Sequence, residues 1–147
     1  MPTSTRFAVS VHALVLLARD DGQPVRSERI AADVGTNPAV IRALFSRLSA
    51  AGLTASHRGN GGGAVLARPA SQIRLLDAYL AVEDPEIFSF HPSASDDDET
   101  IGHFVAASLA APLRLARQAM EDELAAVSIA DIAASMSRLQ ADAIVDR

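Results

Sequence analysis

The chain has no cysteine, no lysine and no tryptophan, and its aromatics amount to five phenylalanines and one tyrosine in 147 residues. Without cysteine there is no disulfide framework, no thiol sensor and no thiolate to hold a metal, a composition that fits a reducing cytoplasm. A content of 49% hydrophobic residues with so few aromatics allows one or two modest cores of Leu, Ile, Val and Ala, and a single compact subunit is expected. The early apolar run, residues 7–18, falls well short of the about 20 residues that a membrane span needs. It contains His12, leads into Arg19-Asp20-Asp21 and has no small-residue cleavage site, so it reads as a buried helix, not as a signal peptide. No membrane partner is expected. An enzyme is not expected either: no nucleophile with an adjacent base can be assembled from motif, and four scattered histidines make no metal-ligand spacing. The reading therefore includes no catalytic residue, no metal ligand and no cofactor.

Charge is unevenly spread. Net charge is −5, yet residues 1–75 carry nine arginines against four acids, a net of +5, while the remainder carries four against fourteen, a net of −10. The basic half has the footprint of nucleic-acid binding, and the acidic half would be turned away from a phosphate backbone on approach. All thirteen cations are arginine, which genome composition explains as readily as bidentate recognition does.

The basic half contains a helix, a tight turn and a second helix. In SERIAADV, Ser27 is placed to cap a helix whose Ile30, Ala31 and Val34 share one face, and Gly35 ends it. Asn37-Pro38 restarts a helix at once, with Asn as cap and Pro at the first helical position. That second helix turns Ile41, Leu44, Phe45 and Leu48 inward and ends at a left-handed Gly52. Such a pair presents the start of its second helix to a major groove. Two short extended runs follow, 53–56 and 64–67, joined by a tip at residues 58–63 with four glycines, Asn60 and the single Arg58. An arginine at an open hairpin suits the minor groove. A phosphate-binding nucleotide loop fits less well, because GNGGG lacks the lysine and Ser/Thr and runs into a strand.

The residues NPAVIRALFSRLSAAGL and RGNGGGAVLARPASQIRLLDAYLAVE resemble the Rrf-two family of bacterial winged-helix transcription regulators. The leading STRFAVSVHALVLLA and the long C-terminal helix extend the likeness to nearly the whole chain. The wing motif is the most specific part, and it departs from the family at Asn60, where proline is common, and at Ala64, where tyrosine is common. In cluster-binding relatives three cysteines fall in and after the loop that here reads EIFSFHPSASDDDET, and some use first-helix residues as ligands. This chain has no cysteine, and Ala8 stands one turn before His12, so the resemblance implies a member without an iron–sulfur cluster. The acids at 96–99 between His91 and His103 leave open a divalent ion or a solvated run that favours the helix start after it.

That long helix is expected from about Thr100 to Val127, with a stripe of Ile101, Val105, Leu109, Leu113, Ala116, Met120, Leu124 and Val127. A helix of roughly 40 Å outreaches so small a core, so the stripe is assigned to a symmetry mate, with intrachain packing as the alternative. Pro112 should kink or break it. A last helix should start at Ser128 with Asp131 as capping acid, fold Ile129, Ile132, Met136 and Leu139 back on the long helix, and fray beyond Ala141.

The fold expected is mainly α: a winged helix-turn-helix domain over 1–83 with a two-stranded wing, an acidic loop over 84–100, and dimerisation helices over 101–147 that pack with the first helix. The function expected is a cytoplasmic homodimeric repressor on a pseudo-palindromic double-stranded DNA operator, with a protein-interaction adaptor as the alternative. Base edges are assigned to Asn37 and Arg42, thymine methyls to Ala39 and Val40 behind Pro38, phosphates to Arg47 and the amides at Ser27, and the minor groove to Arg58 with Gly59, Asn60 and Gly61. Dimerisation is assigned to Ile101, Val105, Leu109, Leu113, Met120 and Leu124. An effector, if one exists, is a small molecule, a metal at the acidic loop or a protein.

Overall fold

The first helix, α1 (Arg6–Arg19), packs against four other helical segments and the wing. The computed structural model describes residues 5–84 and 100–145. The acidic loop, with His91 and the acids at 96–99, lies outside the described residues. After α1 come α2 (Ser27–Val34), α3 (Pro38–Ala50), β1 (Thr54–His57), β2 (Gly63–Leu66), a 3₁₀ turn (Ala70–Gln72), α4 (Leu75–Val82), α5 (Ile101–Ala126) and α6 (Ile129–Val145). Leu14 of α1, Ile30, Ile41, Leu48, Leu53, Ile73, Val82 and Ile129 are fully buried, so one core joins both ends of the chain. This is the winged-helix architecture that the apolar spacing predicts.

The helix ends follow from single residues. Asn37 Oδ1 accepts from Ala39 N–H at 2.8 Å, with Pro38 at the first helical position. At the other end of α3, Leu53 N–H donates to Leu48 and Gly52 N–H to Ser49, with Gly52 at φ +72°, which closes the helix in a Schellman motif. Ser27 is not the cap of α2: Arg26 holds that position, Ser27 is already helical, and no side-chain cap forms. The backbone there is fixed from outside the helix, by an antiparallel bridge in which Val25 and Ala64 exchange hydrogen bonds of 2.9 Å. α1 is also capped from afar. Glu83 accepts from Phe7 N–H and from the Arg6 guanidinium, both at 3.1 Å.

The C-terminal helices differ from expectation. α6 packs on α1 and the 3₁₀ turn, where Ile129 is buried and Ile132 and Met136 lie against the core, whereas Leu139 is exposed. The reason is a clasp: Leu75 N–H donates to Val127 and Ile129 N–H to Ile73, which ties the start of α6 beside α4 and away from α5. The Ser128/Asp131 capping box is present, with Ser128 N–H to Asp131 at 2.8 Å, and that bond holds the Asp131 carboxyl below its usual range. α6 continues past Ala141 to Val145, and α5 runs unbroken through Pro112, in an exposed stretch where water can satisfy the freed carbonyl.

His12 donates through Nε2 to Asp33 Oδ2 at 2.7 Å, a hydrogen-bonded histidine joining α1 to α2. Ser10, one turn of α1 away from Arg6, is wholly buried, and its hydroxyl has no partner among the described residues. Burial of an unmet hydroxyl is unfavourable, so Ser10→Ala is expected to stabilise the fold by about 1 kcal/mol. A urea titration checks this. A loss of similar size would mean that the hydroxyl is satisfied.

Candidate nucleic-acid interface

α3 has two unlike sides. Ile41, Leu44, Phe45 and Leu48 are buried, while Ala39, Val40, Arg42, Ala43, Ser46 and Ala50 are exposed. Apart from Val40 and Arg42 these outward side chains are small, which lets the helix axis come close to a partner surface. Arg42, Ser46 and Ser49, at helical spacing, border a cleft of about 450 Å³ between α3 and the wing. Ser27, Phe45, Ser56, His57, Gly63 and Ala64 complete its lining. Four hydroxyls and a guanidinium therefore face one groove. Ser46, Ser49, Ser56 and His57 were not among the residues expected from sequence, although the spacing 42, 46, 49 placed two of them beside Arg42.

The wing is a two-stranded antiparallel ribbon pairing Thr54 with Leu66 and His57 with Gly63, one residue offset at each run from the expected strands. At its tip Gly62 N–H donates to Gly59 at 3.0 Å, and Gly61 takes φ +81° at the third position of the turn. That is a type II turn, whose second position favours proline, and Asn60 stands there. The last two glycines are needed for space. A Cβ on Gly62 would lie 2.3 Å from the His57 carbonyl oxygen, and one on Gly63 would lie 2.5 Å from the Val25 carbonyl group. With Ala64 buried, the wing is braced by this backbone bridge.

Four of the nine arginines in the basic half are held in ion pairs. Arg6 pairs with Glu83, Arg29 with Asp20, Arg42 with Glu28 and Arg68 with Asp77. Arg58 is exposed at the wing tip and has no hydrogen bond or ion pair among the described residues. Two expected contacts are otherwise engaged. The Asn37 oxygen caps α3, and Arg47 donates to the Val82 carbonyl at 3.3 Å, on the side of the helix away from the cleft. Ser27, Arg42 and the wing do converge on it.

A profile of the Rrf2 family, described as an iron-dependent transcriptional regulator, matches residues 3–135. The chain belongs to the Rrf2 family. It is also 34% identical over 130 residues to YwnA of Bacillus subtilis (strain 168), named as a candidate HTH-type transcriptional regulator, covering 88% of this chain and 95% of that one. Among solved structures it resembles IscR of T. potens, with TM-score 0.70 and 26% identity over 95% of this chain and 91% of that one. It also resembles CymR, the global cysteine regulator of B. subtilis, with TM-score 0.66 and 25% identity over 92% and 98%. As an Rrf2-family protein the chain is a DNA-binding transcriptional regulator and not an enzyme. The donor set does not fit a cysteine-held iron–sulfur cluster, because the sequence has no cysteine. Among the described residues no three His, Asp or Glu side chains converge on a point that could hold a metal ion.

α5 presents the second exposed feature. At 26 residues it is about 39 Å long and contributes no buried residue. Its first half exposes Ile101 (83%), Phe104 (58%), Val105 and Leu109, which with Ser108 line an apolar hollow of about 310 Å³. Leu113, Met120 and Leu124 are half-buried in the half that lies towards α4, so the apolar stripe is divided between the chain's own body and open surface. No described helix is long and apolar enough to cross a membrane.

Proposed function

We propose that this Rrf2-family protein is a cytoplasmic homodimeric repressor that occludes promoters by binding a pseudo-palindromic operator. The observation that carries the reading is the convergence of α3, Ser27 and the wing on one groove, with Arg58 at the tip unpaired among the described residues. Ala39 and Val40 meet thymine methyls, Arg42 reads a guanine edge, and the Ser27, Ser46 and Ser49 hydroxyls receive phosphate oxygens. Asn37 and Pro38 set the start of the reading helix, and Gly59, Asn60 and Gly61 carry Arg58 into the minor groove. The exposed first half of α5, Ile101, Val105 and Leu109 with Phe104, supports a two-fold partner. Half-site centres are then about one helical turn, roughly 34 Å, apart. Residues 1–83 form the reading unit and 101–147 the pairing helices, linked through 84–100.

Arg58→Ala tests the wing contact. Loss of one charge-assisted contact should weaken operator binding roughly tenfold while leaving the major-groove base preference as it was. Unchanged operator affinity would remove Arg58 from the interface.

A further inference from the structure

Resting on the reading of Arg42 as a base contact, we propose that Glu28 is a positioning and specificity-determining residue for DNA recognition. The side chains that α3 offers to a groove are few. Asn37 is committed to its own helix, Arg47 to the end of α4, and Ser46 and Ser49 are short, which leaves Arg42 as the one cation of α3 beside the cleft. Its guanidinium is held by Glu28, with Nη1 donating to Oε1 at 3.0 Å.

Both partners are well exposed, so the pair adds little to folding stability. Its consequence lies elsewhere. An arginine fork has five donors, and a single carboxylate oxygen on one Nη leaves enough of them for guanine O6 and N7. A free arginine beside a duplex is drawn to phosphates, which carry no sequence information. Glu28 competes with those phosphates and repels them, and so keeps the fork over the base edges. The carboxylate is itself well placed, in the first turn of α2 where the helix dipole favours negative charge. Water leaves this surface on docking, and the pair then strengthens.

Sequences recovered from a random duplex pool by wild type, Glu28→Ala, Glu28→Gln, Arg42→Ala and the double Ala variant test the role. Wild type should prefer guanine at one position per half-site by roughly tenfold. Arg42→Ala and Glu28→Ala should each lose that preference at the same position, the double variant should lose no more, and Glu28→Gln, which still accepts a hydrogen bond, should recover part of it. A merely structural role would lower affinity for every sequence and leave this preference in place, which would overturn the proposal. So would a uniform gain in affinity for Glu28→Ala with the preference kept, since the carboxylate would then only repel backbone. A preference that survives in Arg42→Ala but not in Glu28→Ala would mean that Glu28 reads the paired cytosine itself. A wild-type motif unaffected by both variants would sink the base-reading role of Arg42, whereas no motif at all would sink the operator reading.

Discussion

Gly63→Ala is expected to destabilise the protein by about 3 kcal/mol and to lower operator affinity by much more than any single contact could. The added methyl would sit 2.5 Å from both the carbonyl carbon and oxygen of Val25 and 2.9 Å from its nitrogen. All three are backbone atoms, so no rotamer change relieves the overlap. The chain must instead separate β2 from Val25 and give up the two 2.9 Å hydrogen bonds that Ala64 makes there. Those bonds also fix the backbone just before α2, so the damage reaches Ser27 and the groove. Urea unfolding and operator titration of the same preparation check both halves of the prediction. A midpoint and affinity equal to wild type would mean that the wing does not rest on Val25.

Replacing Phe104 and Leu109 together by Asp is expected to convert a dimer to monomers and to reduce operator affinity roughly 100-fold or more. The two side chains lie in the exposed half of α5, 58% and 43% accessible, where a carboxylate costs nothing in a monomer but would be desolvated in a helix pair. Loss of affinity follows from linkage. Two reading heads held together meet the second half-site at high effective concentration, a gain of 10²–10⁴ that separate heads forgo. Sedimentation of wild type and variant, followed by binding to full and half operators, checks this. A wild-type monomer, or a variant that still pairs, would contradict the assignment of this face.

Where recognition depends on neighbours in sequence, it was readable in advance. Asn37-Pro38, Gly35 and Gly52 mark helix ends through local geometry, and all three lie at the ends of α2 and α3 as expected. The inward faces of those helices follow from spacing alone. Contacts between distant residues were not readable. Ser27 looked like a cap because its type is right, yet the bridge to Ala64 makes Arg26 the cap. Arg47 was assigned to phosphate by its type, yet it donates to a carbonyl that lies 35 residues away. The α6 stripe was correctly apolar, but spacing does not say which helix it meets, and the Ile73–Ile129 clasp sends it to α1. Within the candidate site, Arg42 and Arg58 were visible by type. Their difference, one paired with Glu28 and one without a partner among the described residues, is a property of the folded chain.

The most direct test is selection of sequences bound by the purified protein from a random duplex pool, followed by titration of the best site at several salt concentrations. The account predicts a pseudo-palindromic motif with half-sites about one helical turn apart and an affinity that falls steeply with salt, as phosphate contacts release counterions. Weak, sequence-indifferent binding would contradict it and would point to a winged helix that engages protein partners instead.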